Sequence, residues 1–82
     1  MIHVKCMHLL RSKYGITEVD VEASTVEGVI QSLKHHHPEL DEQDFYQAVL
    51  FVNKQKISHV KRFETRLNEG DEVVFTNFVG GG

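Results

Sequence analysis

The sequence contains no tryptophan, one proline and one cysteine, and each shortage excludes something. A lone thiol, Cys6, cannot close an internal disulfide, which fits a reducing, cytoplasmic setting. No apolar stretch approaches the roughly 18 residues that a membrane span requires, and the alternating first residues leave no apolar h-region. Neither a membrane helix nor a signal peptide is expected. Charge of one sign is also missing: nine Lys and Arg stand against twelve Asp and Glu, a net charge of −3 that argues against nucleic acid as a partner. Lys54, Lys56, Lys61, Arg62 and Arg66 do gather in one stretch, but no aromatic RNA-binding motif accompanies them, and a solvated surface explains them. The chain is 82 residues long and 40% hydrophobic. That suffices for one domain with one modest core and is too little for a large enclosed substrate cavity.

What is present is periodicity. Ile2, Val4 and Cys6 alternate with His3, Lys5 and Met7, the pattern of a strand with one buried face. Leu9 and Leu10 extend the apolar signal into "RSKYG", read as a turn through Gly15, and Val19 and Val21 then resume the alternation. These first two strands are expected to form a hairpin. In "STVEGVIQSLKHHHPEL", Ser24 followed by Glu27 has the signature of a capping box. Val26, Val29, Ile30 and Leu33 then fall on one helical stripe, with Gly28 marking close packing against the sheet and Pro38 ending the helix near His37.

An acidic loop or short helix follows. "AVLFVNKQKIS" reads as a strand, a tight turn at Asn53 to Gln55 and a short strand through Ile57. "VKRFETRLNEG" is mostly polar, with Phe63 and Leu67 as anchors, "NEGD" is a turn, and "EVVFTNF" is the final strand. The order of strand, strand, helix, strand, strand, strand implies an α+β fold, a mixed sheet of four to five strands packed on one main helix. Residues 1–79 form the expected domain, and residues 80–82 a flexible glycine tail.

That tail is the most unusual feature. Gly80, Gly81 and Gly82 have no side chains to pack and add nothing to a core. They are either a frayed remnant or cloning scar, or the bare backbone and its carboxylate are what the protein uses. Chemistry elsewhere is sparse. No nucleophile with a nearby base, phosphate loop or paired-carboxylate motif can be read from the chain. Cys6 on an inward position reads as a small core residue. His35, His36 and His37 are consecutive, so they do not face one another on a helix, and no Cys or acidic ligand spacing matches them. Cations there suit the negative end of the helix dipole, and neither a metal ion nor a bound cofactor is expected.

Three stretches resemble the MoaD/ThiS family of ubiquitin-like sulfur carriers, and MoaD more than ThiS: "IHVKCMHLLRSKYG", "FVNKQKI" and "RLNEGDEVVFTNFVGGG". With the capped helix they span nearly the whole chain. The resemblance implies the β-grasp, or ubiquitin-like, topology. It also implies that Gly82 carries the reacting carboxylate, with Gly81 as the slim approach to it. Where many relatives have Pro-Pro before a Val, this chain has Asn77 and Phe78, and Gly80 stands at their Ser or Thr position.

In the family, a MoeB- or ThiF-like adenylyltransferase uses ATP to activate the terminal carboxylate, and a sulfur donor such as a cysteine desulfurase or rhodanese converts it to a thiocarboxylate. A MoaE-like large subunit then receives it, and two sulfur transfers build the dithiolene of molybdopterin. The chain would be the non-catalytic small subunit of molybdopterin synthase. Thiamin, cysteine or another metabolite could take the sulfur instead, a protein modifier would join Gly82 to a lysine amine, and a purely binding β-grasp domain would leave the tail idle.

With Ile2, Val4, Cys6, Leu50, Val52, Val73 and Phe75 facing the helix, the alternates Met7, Phe51, Val74 and Thr76 face outward. They are expected to form a partner-binding patch continuous with Phe78, Val79 and Gly80. A register shifted by one residue would bury this set instead.

Overall fold

The computed structural model describes residues 1–77. The chain enters through β1 (Ile2–Cys6), in which Ile2, Val4 and Cys6 are buried and His3 and Lys5 lie on the opposite face. A helix, α1 (His8–Tyr14), comes next, then β2 (Glu18–Val21) and the main helix α2 (Val26–His36). The second half supplies α3 (Glu42–Tyr46), β3 (Val49–Val52), β4 (Gln55–Ile57), a 3-10 turn at Arg62–Glu64, and β5 (Glu72–Thr76). The five strands form one sheet in the order β2-β1-β5-β3-β4. β1 and β5 run parallel and all other neighbours antiparallel, with Val4 opposite Val73 and Cys6 opposite Phe75. This is the β-grasp arrangement: a mixed five-stranded sheet with α2 across one face.

The core follows from two periodicities meeting. Val26, Val29, Ile30 and Leu33 line one stripe of α2 and are buried. They pack against the inward residues of β1, β3 and β5, among which Val4, Val73 and Phe75 have no exposed surface. Phe45 of α3 closes one end, its ring stacked on Tyr14 at 6.0 Å and edge-on to Phe75 at 5.1 Å. Leu10, Ile16, Val21, Leu40, Ala48 and Leu67 complete the cluster, and Val52, Ile57 and Phe63 lie half-buried against it.

Four expectations need correction. The "RSKYG" stretch is not a simple turn between hairpin strands: α1 is inserted there, ending on Gly15 in the left-handed conformation (φ 69°), whose N–H donates to the Arg11 carbonyl. Of the two leucines read as one apolar signal, Leu10 is buried and Leu9 is 70% exposed. Second, the cap of α2 is Thr25, whose Oγ1 accepts from the Gly28 N–H at 3.0 Å. The Ser24–Glu27 box does not form because the helix starts one residue later, after an extended Thr25: the Ser24 carbonyl accepts from Leu67 N–H at 2.9 Å, and Thr25 bridges Arg66. Glu27 instead accepts from the Tyr46 hydroxyl at 2.6 Å and from Gln31.

Third, the tight turn comprises Asn53 and Lys54 alone, both left-handed (φ 50° and 70°), and Gln55 already belongs to β4. Two positive-φ residues twist the hairpin in the sense its strands require. Gly28 does sit tight: a Cβ there would lie 3.3 Å from the Ala23 side chain and 3.4 Å from Thr25 Oγ1. Fourth, these close neighbours belong to the lead-in to α2 and not to the sheet, which was the expected packing partner. The helix ends at His36, with His37 as its cap directly before Pro38.

Candidate functional site

β5 is the strand that leads to the glycine tail, and the fold places it at the centre of the sheet, between β1 and β3. Its inward residues Val73 and Phe75 are fully buried, while Val74 and Thr76 face away from α2 and are partly exposed. Cross-strand register then builds the outer surface. Val74 lies opposite Phe51 on β3 and Lys5 on β1, and Phe51 lies opposite Lys56 on β4. Glu18 completes the row beyond Lys5. An apolar pair thus sits mid-sheet with a lysine on either side. One step along, Thr76 lies opposite Val49.

Met7 is 41% exposed and follows directly on β1, its N–H donating to the Phe75 carbonyl at 3.0 Å. The structure therefore brings Phe51, Val74, Thr76 and Met7 to one region around the end of β5. Phe78, Val79, Gly80, Gly81 and Gly82 lie outside the described residues.

The sequence reading missed several neighbours of this region. Leu9, on the first turn of α1, adds exposed apolar surface beyond Met7. Val49 joins Thr76, and Lys5 and Lys56 flank the apolar pair. Asn77 accepts a hydrogen bond from the Leu10 backbone N–H through Oδ1 at 3.0 Å. The strand register could have supplied Val49 once β3 was paired with β5, Lys5 once β1 was paired with β5, and Lys56 from the β3–β4 hairpin. Nothing local reveals the Asn77 contact, which joins residues 67 positions apart.

The electrostatics of the outer face are set by short-range pairs. Lys5 pairs with Glu72 at 3.6 Å. On the β1–β2 side, His3 bonds Asp20 through Nδ1 at 2.9 Å and Glu18 through Nε2 at 2.7 Å. The Asp20 bond and then the Glu18 bond hold the His3 imidazole above its ordinary pKa. At the start of β5, Asn53 locks β3 to β5: its Oδ1 accepts from the Glu72 N–H and its Nδ2 donates to Asp71. The Asn68 N–H, followed by the Asn53 amide, keeps the Asp71 carboxyl below the usual range.

The remaining candidates for chemistry are placed elsewhere. Burial pushes the Cys6 thiol up to about 11, so it is not a thiolate at neutral pH. Tyr46 is pushed up to about 12, chiefly by its bond to Glu27. His35 and His36 do meet, contrary to the expectation for consecutive helical residues: their rings lie edge-on at 5.4 Å, while His36 Nδ1 bonds the Ser32 carbonyl at 2.9 Å and His37 faces Glu39 at 3.6 Å. Among the described residues no group of three or more His, Cys, Asp or Glu could hold a metal ion, and no helix is long and apolar enough to cross a membrane. A depression of about 150 Å³ beside Arg62 and another of about 80 Å³ between β2 and α2 are below the roughly 300 Å³ at which small-molecule sites begin. Neither includes a residue of β5.

Known proteins match this architecture over its full length. The chain is similar to the small archaeal modifier protein 1 of Methanosarcina acetivorans, at 26% identity and a TM-score of 0.81, covering 99% of this chain and 95% of that one. It is also similar to a structure of the Amycolatopsis orientalis BexX/CysO complex (20% identity, TM-score 0.77, both chains covered completely). A third likeness is to the complex of subunits 1 and 2 of molybdopterin-converting factor from Helicobacter pylori, at 16% identity and a TM-score of 0.62, covering 99% and 97%. The last two likenesses speak for the fold alone. The comparison with curated protein sequences gave no match. The model of the ThiS family matches residues 7–82, nearly the whole chain. The chain belongs to the ThiS family of ubiquitin-like sulfur carriers.

Proposed function

We propose that the protein is a sulfur carrier whose Gly82 carboxylate, as the free C-terminus of the working chain, is activated and converted to a thiocarboxylate. The observation that carries this reading is the family match, which runs through β5 and on to residue 82. A carboxylate is a poor electrophile, so its oxygen must first become a leaving group. A terminal carboxyl with an ordinary pKa of roughly 3.5 is ionised at neutral pH and attacks the α-phosphate of ATP, releasing pyrophosphate. A hydrosulfide ion then attacks the acyl carbon and expels AMP. A persulfide gives an acyl disulfide at the same step, and a second thiol reduces it to the thiocarboxylate. The MoeB/ThiF-like adenylyltransferase supplies the activating machinery and consumes the ATP. The carrier contributes the carboxylate and its presentation, and has no turnover of its own.

The outer face supports this division. Phe51 and Val74 form an apolar pair at the sheet centre, Thr76 and Met7 extend it toward the end of β5, and Lys5 and Lys56 border it. Such a patch buries well against an apolar partner surface with an acidic rim. We assign the adenylyltransferase to it, and a MoaE-like subunit after thiocarboxylation, with sulfur delivered to a molybdopterin precursor as the finer destination. A second reading has a specific observation behind it: the higher likeness to a protein named as a modifier. There Gly82, once activated, is transferred to a lysine amine.

One experiment tests both. The protein is incubated with its cognate MoeB/ThiF-type enzyme, ATP and a sulfur source, with and without cell extract, and its intact mass is measured. Replacement of one oxygen by sulfur at the C-terminus is expected. Conjugates of higher mass in extract support the modifier reading. An unchanged mass in every arm, with the enzyme shown to hydrolyse ATP on another carrier, overturns activation at Gly82. Co-purification with a MoaE-like partner or with a different sulfur acceptor then decides the pathway.

A further inference from the structure

The last described residue, Asn77, is not simply the end of a strand. β5 stops at Thr76, and the Asn77 side chain turns toward α1, accepting the Leu10 N–H at 3.0 Å in a partly buried position. The first N–H groups of a helix have no partner within it, and Met7, at the cap position of α1, offers no side-chain acceptor. Asn77 satisfies one of these donors from the far end of the chain. Together with the bond from the Met7 N–H to the Phe75 carbonyl, it gives two hydrogen bonds that bracket the root of the tail.

The element that receives this bond is itself fixed. Leu10 is buried in the core, and Tyr14, one turn on, donates its hydroxyl to Asp44 at 2.5 Å and accepts the Asp41 N–H at 3.0 Å. Lys13 adds an ion pair to the same Asp44 carboxylate at 2.7 Å. His8 enters the helix at a φ of 56°, a conformation uncommon outside glycine. The surrounding contacts therefore hold α1 against the end of β5 despite local strain.

We propose that Asn77 is a positioning residue. Its bond to the Leu10 N–H pins the root of the tail to α1, so that the five residues beyond it start from one fixed place and direction when the body docks. The inference rests on the reading of Gly82 as the activated group. A root free to swing would dock as well but present the carboxylate to ATP less often, and small errors of placement cost large factors in rate. The bond should therefore act on turnover more than on binding.

The test uses the full chain and its cognate MoeB/ThiF-type enzyme, with pyrophosphate release as the readout. Asn77→Ala is expected to lower kcat about tenfold at saturating carrier while KM stays within about twofold, and Asn77→Asp, which keeps the Oδ1 acceptor, recovers kcat to within about threefold. Thr25→Ala, which weakens the cap of α2 and leaves α1 and its contacts in place, serves as the destabilised control and keeps kcat near that of the parent. Unchanged kcat in Asn77→Ala overturns the proposal. So does a loss confined to KM, an Asp variant as slow as the Ala variant, or an equal loss in Thr25→Ala.

If the parent protein releases no pyrophosphate, the functional reading fails by itself, and the pinning is decided by amide hydrogen exchange. Exchange at Leu10 about tenfold faster in Asn77→Ala, with the β1 and β5 amides unchanged, upholds it. An unchanged Leu10 amide overturns it.

Discussion

The two faces of the sheet are built from the same strands and share nothing else. On the α2 side, Ile2, Val4, Cys6, Leu50, Val73 and Phe75 are all at most 1% exposed. On the other side the alternate residues Lys5, Phe51, Val74 and Thr76 are half-buried, and no element of the described chain covers them. Stability comes from the first face, because apolar area removed from water is the dominant favourable term. In the function proposed above, the second face receives the partner. Alternation along β5 lets a single strand do both, with neighbouring residues assigned to different tasks.

The comparison is broken most severely at β5. Phe75→Ala, on the covered face, removes a ring that packs edge-on to Phe45. It is expected to cost about 3–5 kcal/mol in urea unfolding, much of the stability of a domain this small. Its neighbour Val74 tests the other face. Val74→Asp should change stability by no more than about 1 kcal/mol yet weaken association with the adenylyltransferase about tenfold or more, measured by titration calorimetry. A large loss of stability in Val74→Asp, or full affinity in it, would erase the distinction between the faces.

A smaller effect locates the start of α2, the helix that covers the inner face. Thr25→Ala is expected to lose about 1 kcal/mol, because the Gly28 N–H loses its acceptor. Ser24→Ala should lose clearly less, since its tie to Leu67 runs through the backbone carbonyl. Thermal unfolding of the two variants side by side checks the order.

The smallest effect lies at the outer rim. Because His3 has a raised pKa in the folded protein, its charged form contributes stability in full below the ordinary value of 6.5. That contribution is lost as pH rises through the raised value. The His3 imidazole is 38% exposed and solvent screens it, so the shift in melting temperature should be slight. The NMR titration midpoint of His3 should fall in Asp20→Asn, the larger of its two supports.

Much of this was legible in the chain because the signals were local. The period of two in Ile2, Val4 and Cys6 marks the buried face of β1, and the stripe from Val26 to Leu33 needs only helical geometry. Pro38 and the Asn53 turn are set by backbone chemistry within a few residues. The rest was fixed at a distance. α1 has one fully buried residue in seven and no stripe to announce it, and it is held by Asp44, Asp41 and Asn77. The cap of α2 moved from Ser24 to Thr25 because residues from 65 to 67 bond to residues 24 to 26 and hold the lead-in to the helix, which no local motif encodes. Of the candidate site, β5 and its alternation were readable, whereas Leu9 and Asn77 depend on where α1 is anchored.

The parallel pairing of β1 with β5 has a mechanical consequence. β1 begins beside the start of β5, with His3 opposite Glu72, and the two strands finish together at Cys6 and Phe75. The N-terminal ammonium pairs with Glu69 at the opposite pole from the end of β5. Tension applied between the first residue and Asn77 therefore runs along both strands and loads their shared hydrogen bonds in shear, all at once, instead of peeling them apart one by one. An enzyme that grips the chain beyond Asn77 and pulls would draw on a strand clamped by neighbours on both sides.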